Sequence, residues 1–177
     1  MERNTMTLSY LNEDDRAYGL AGMVISLASL HAIDRVAEIC LDSKGPMVEF
    51  SHRYYFAGSP SMSPKASWDH LVQNFHLTTS MVVANVLARS VVRLKEDAPA
   101  SVMDEIFSEV EREGRDTCSL EDDEIENLYN NALQRARRLF RNPRLHPAID
   151  ELVKVISRKR RLSGMEIADE LHLLQLI

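Results

Sequence analysis

Apolar residues recur at helical spacing along most of this chain. Leu20, Val24, Leu27, Leu30, Ile33, Ala37 and Cys40 form one stripe. It predicts a helix opening after Asn12, with Glu13, Asp14 and Asp15 in its first turn, where the helix dipole favours acids, and running to about Leu41. Lys44-Gly45-Pro46 then ends it. The longest pattern contains Trp68, Leu71, Val72, Phe75, Val82, Val83, Val86, Leu87, Val91 and Leu94. It predicts a helix over 64–95, capped by Ser63 with Pro64 at its first position. Its apolar face is wide, so Trp68, Leu71, Phe75, Val82, Val86 and Leu87 are expected in the core.

Four shorter patterns follow. Val102, Ile106 and Val110 predict a helix from Pro99 to Glu113, stopped by Gly114. Ile125, Leu128, Ala132, Ala136 and Leu139 follow a capping-box-like Ser119–Asp122 and end at Pro143. Ile149, Leu152, Val153 and Ile156 follow Pro147, and Ile167, Ala168, Leu171 and Leu174 follow the capping box Ser163–Glu166. One segment departs from this period. Val48, Phe50, His52, Tyr54 and Phe56 alternate with polar residues and Tyr55, as in a half-buried strand. With no strand partner apparent, it is expected as an extended arm, a short hairpin or an edge pairing between subunits. The sum is an all-α, bundle-like single domain over 1–177, with about six helices, two of them long, and one short extended segment near 47–57.

Composition changes this picture little. The chain is 45% hydrophobic and 27% charged, ordinary for a globular protein. Cys40 and Cys118 belong to no ligand or redox motif, so each is expected as a small apolar residue in a reducing compartment. The start, MERNTMTLSY, lacks the features of a secretory signal, and a cytoplasmic location is expected. The uncharged run Ala17–Ile33 reads as a buried core helix, not a membrane span.

Charge changes the picture more. Net charge is −6, with its signs segregated. The stretch 96–126 is strongly acidic, and 127–161 is strongly basic. The bases cluster as Arg135, Arg137, Arg138, Arg141 and Arg144, then Arg158, Lys159, Arg160 and Arg161. These residues are the candidate contacts for an anion or nucleic acid, because an arginine fork suits phosphate and carboxylate. The competing expectation is that the acidic and basic helices pack side by side and neutralise each other.

No phosphate loop, nucleophile elbow or HExxH pattern is present, and no catalytic, metal or cofactor residue is assigned. Three pairs at helical spacing, His31/Asp34, His146/Asp150 and Asp169/His172, raise a metal-dependent helical enzyme as a third possibility. The acid pairs Glu121/Glu124 and Glu166/Asp169 resemble those of all-α nucleotide pyrophosphohydrolases, though each sits where a helix start favours acids. Leu162–Leu171 (LSGMEIADEL) resembles the first helix of a helix-turn-helix over about ten residues, with no recognition helix after it. Arg160-Arg161-Leu162-Ser163 matches a basophilic kinase site, and Ser163 also serves as a helix cap. By elimination, the expected function is macromolecular binding. The expected partner is another protein or a second copy of the chain, with an adaptor or regulatory role and no membrane involved. A nucleic-acid-associated role through the arginine clusters is the alternative.

Overall fold

The computed structural model describes residues 6–51 and 64–177. Among these residues are six α-helices and a small sheet. Helix α1, Glu13–Ser29, leads through a 3₁₀ turn, Ile33–Arg35, into strands β1, Val36–Cys40, and β2, Val48–Phe50. Helix α2, Pro64–Leu87, widens into a π-helical turn, Ala88–Leu94. Then follow α3, Ala100–Cys118, α4, Asp122–Phe140, α5, His146–Lys159, strand β3, Arg161–Ser163, and α6, Gly164–Leu173. Fold class and helix number agree with the sequence pattern, but of the two helices expected to be long only α2 is: α1 has 17 residues, fewer than the 19 of α3 or α4.

Helix α1 is shorter than its stripe predicts. Asn12 caps it as expected, its Oδ1 accepting from the Asp15 amide at 2.8 Å. The helix nevertheless closes at Ser29, because His31 takes a left-handed conformation (φ 54°) and the Ala32 amide donates back to the Leu27 carbonyl. That closure usually falls on glycine, so the sequence carries no stop signal here. Ala37 and Cys40, which the stripe assigns to the core, are exposed and half-buried in β1, and Val36 and Ile39 face the core instead. A bulge between Val36 and Glu38 gives buried strand positions a spacing of three.

The extended segment has the strand partner that the sequence did not reveal. Among the described residues it is a strand over Val48–Phe50 in a short hairpin: β1 pairs antiparallel with β2 (Ile39 opposite Val48) and, on its other edge, with β3 (Ile39 opposite Leu162). The sheet order is β2-β1-β3. His52–Phe56 and the Ser63 cap lie outside the described residues.

Helix α2 runs through the centre, packed on α1, α3 and α4. The stretch Lys65–Leu94 is long and apolar enough to cross a membrane, and 78% of its most apolar window is buried inside the protein. Phe75, Val86 and Leu87 are buried as expected, but Leu71 is half-buried and Trp68 and Val82 are 42% and 38% exposed. The apolar face is wider than the neighbouring helices cover, most of all near its start. Where α1 meets α2, a Cβ on Gly22 would lie 2.5 Å from the Ala84 carbonyl oxygen and 2.6 Å from the Ala88 Cβ. The obstructing oxygen belongs to a helix backbone and cannot swing aside. Gly22→Ala is therefore expected to lower stability by about 1–3 kcal/mol in urea denaturation, despite alanine's better helix propensity.

Gly114 does not end α3. It lies inside the helix, where a Cβ would meet Ile125 at 2.9 Å and Phe75 at 3.0 Å, and it is glycine so that α2 and α4 can close around it. The helix ends at Cys118, with Ser119 left-handed (φ 53°). The capping box of α4 accordingly begins at Glu121 rather than Ser119.

Candidate functional site

Helix α4 carries most of the first arginine cluster, and its amphipathic pattern decides where the arginines go. Glu121 and Glu124 form a reciprocal capping box at its start, with Asp122 and Asp123 in the same turn. Ile125, Tyr129, Ala132, Ala136 and Phe140 make the buried stripe. That stripe seats α4 against α2 and α3, leaving Arg137 and Arg138 exposed and Arg135 half-buried. Of this cluster, Arg141 alone makes an ion pair among the described residues, with Asp97 at 2.7 Å. It is the only pair among the described residues that joins the acidic stretch to the basic one. Two acids of α3 are paired within the acidic stretch instead, Glu109 with Arg112 and Glu111 with Arg115, which also meets Asp122 at the start of α4. Arg135, Arg137, Arg138 and Arg144 have no ion-pair partner among the described residues.

The second cluster behaves differently. Arg158 and Lys159 end α5, Arg160 follows in a positive-φ conformation (63°), and Arg161 lies in β3. Arg160 bridges Glu13 and Asp42, and holds both carboxyls below the usual range. Arg161 meets Glu38 at 3.0 Å, and Lys159 meets Glu170 at 3.2 Å and Glu166 at 3.8 Å. This set ties the end of α5 to α1, to the β1–β2 hairpin and to α6. Arg158 alone in it has no ion pair among the described residues. Ser163 caps α6, donating to and accepting from Glu166.

Beside the free arginines, α2 and α4 diverge around an open groove of about 810 Å³. Val72 on α2 faces Leu128 and Leu139 on α4, and these three give it apolar walls. Gln73 and Asn131 add polar groups, while His76, Arg135 and Arg138 supply nitrogen donors. Burial, and then the nearby charge of Arg135, push the His76 imidazole below its ordinary value of 6.5. It is therefore neutral at neutral pH, and its contribution to stability is lost as acidification protonates it. An NMR titration should place its midpoint below 6.5, and Arg135→Gln should move that midpoint upward. On the other flank of α4, Arg137 reaches a smaller depression of about 430 Å³ shared with Asp104, Glu126 and Tyr129.

The three His/Asp pairs do not build a metal site. His146 is engaged at both ring nitrogens, Nε2 at 2.7 Å from the Phe140 carbonyl and Nδ1 at 3.4 Å from Lys95, while Asp150 accepts from the Tyr18 hydroxyl. His31 and Asp34 line an apolar pocket of about 440 Å³ against α6. Among the described residues no three His, Cys, Asp or Glu side chains converge.

The sequence reading missed the most deeply buried charges. Arg89 is fully buried and grips Asp15 with both Nε (3.0 Å) and Nη2 (2.7 Å). Its remaining donors reach the Leu8 and Ser9 carbonyls, and the Tyr10 ring covers it at 4.8 Å. The π-helical turn aims Arg89 and Arg93 together at the start of α1, where Arg93 pairs with Asp14 and Asp15. An arginine inside the long apolar stretch Lys65–Leu94 was the available signal. No known family model matches the chain, and no curated protein sequence is similar to it.

Proposed function

We propose that this protein acts by binding another protein, as an adaptor or regulator, and that the face made by α4 and the α2–α4 groove does the binding. The observation that carries this reading is an apolar-walled groove rimmed by arginines that no carboxylate of the described chain neutralises. Protein interfaces combine these features, an apolar centre with arginine anchors at its edge. A nucleic-acid role needs a continuous exposed basic face, whereas Lys159, Arg160 and Arg161 are engaged with carboxylates. The reading includes a cytoplasmic location, supported by two free cysteines, Cys40 and Cys118.

Affinity capture with cross-linking tests it. The unmodified chain and the control Arg158→Glu should retain the same protein, which the double variant Arg135→Glu/Arg138→Glu should lose while keeping its helical circular dichroism. Retention of the same protein by the double variant overturns the assignment of the face. So does tight duplex-DNA binding whose affinity falls with salt at a slope of about −0.9 per neutralised phosphate and disappears in that variant.

A further inference from the structure

We infer that the partner segment in the α2–α4 groove is an amphipathic helix that places a carboxylate on Arg135 between two apolar anchors, an inference that rests on reading this face as a protein-docking surface. Arg135 is half-buried, projecting from α4 between Leu128 and Leu139, with Val72 and His76 across the groove. A guanidinium partly withdrawn from water among leucines loses hydration, and a carboxylate restores its hydrogen bonds in bidentate form. His76 is held neutral and leaves that charge to the arginines. Arg138, more exposed on the outer rim, offers a second cationic contact to the same guest.

The dimensions fit a helix. Leu128 and Leu139 stand about three turns apart on α4, or about 16 Å along its axis. A guest helix of that length meets these walls with apolar residues at i, i+4, i+7 and i+11, and meets the arginines with Asp or Glu between them. Nucleic acid would bring its phosphates to Arg138 but has nothing to place against Val72, Leu128 and Leu139. Trp68, the chain's single tryptophan, lies one turn before Val72 and is 42% exposed, so it reports on occupancy of this end of the groove.

The test uses the full chain and a synthetic helical peptide with leucines at i, i+4, i+7 and i+11 and glutamates on the arginine side. Fluorescence anisotropy of the labelled peptide and the emission of Trp68 are measured together. The glutamate peptide should bind and shift the Trp68 emission. A peptide with lysine at each glutamate position should bind at least about tenfold more weakly. Arg135→Gln/Arg138→Gln, a change confined to polar side chains, should weaken the glutamate peptide by at least about tenfold and reduce its salt dependence. Equal binding of the lysine peptide, or undiminished binding by the double variant, overturns the inference. Binding of decanoate in the groove without binding of the peptide also overturns it, assigning the site to a small amphipathic anion. Failure of the glutamate peptide while the face-dependent capture above persists refutes the acidic helix and leaves the docking face standing. Failure of both removes the docking reading as well.

Discussion

Asp15→Ala should cost about 3–5 kcal/mol of stability, as measured by urea denaturation at neutral pH. The substitution leaves Arg89 fully buried with its charge uncompensated, its remaining contacts being the Leu8 and Ser9 carbonyls and the Tyr10 ring. It also removes the carboxylate that accepts the Leu11 amide at 3.0 Å, so the segment before α1 loosens with it. The paired substitution Asp15→Leu/Arg89→Met should recover most of the loss, because exchanging a whole buried ion pair for apolar side chains costs far less than breaking it. The same pair sets an acid limit. Burial raises the Asp15 carboxyl, but Arg89, the Leu11 amide and Arg93 outweigh it and hold the carboxyl below its ordinary value of 3.8. A carboxyl lowered in the folded state stabilises above its unfolded value, and that contribution is lost as pH falls through the folded value. Stability should therefore fall below about pH 4 in the parent and be flatter there in the double variant.

Phe140→Ala should have an effect of similar size, about 3–5 kcal/mol by the same measurement. Phe140 is fully buried at the end of α4, just before the chain turns into α5. Its carbonyl holds the His146 imidazole at 2.7 Å, so the ring and the backbone of one residue fix both the depth of α4 and the start of α5. A cavity at that point borders the rigid start of α5, where Pro147 stands at the second helical position, so it should collapse poorly. A loss below about half a kcal/mol would mean that the core does not extend under this turn.

Legibility from sequence followed the range of the determining interactions. Asn12 and Ser163 act within a few residues of themselves, and the pattern placed them correctly. In α4 it placed Ile125, Ala132 and Ala136, but Tyr129 and Phe140 are buried where it chose Leu128 and Leu139, which are half-buried at the groove. The end of α1 was hidden because a histidine took a conformation usually left to glycine, and Ala37 and Cys40 carry the helical spacing on into β1 without being buried there. Trp68 and Val82 failed as core residues because periodicity shows which side of a helix is apolar but not how much of it a neighbour covers. At the candidate site, the basic cluster of α4 was readable, but its separation from the second cluster was not. Arg160 meets Glu13 and Asp42 across most of the chain, and the groove exists only once α2 and α4 are packed.

The order of strands in the sheet has a consequence for how the chain is made. β1 accepts β2 from the adjacent hairpin, but its other edge is filled by Arg161–Ser163, near the far end of the sequence. On a ribosome adding about 5–20 residues per second, that edge waits about 6–25 s for its strand. Throughout the interval the hairpin presents an open backbone edge with Ile39 uncovered, the kind of surface that recruits other nascent chains. Glu38 and Glu49, paired across β1 and β2, put carboxylates on the hairpin while it waits. Like charges on neighbouring nascent hairpins then repel, which favours the strand of the same molecule when it arrives.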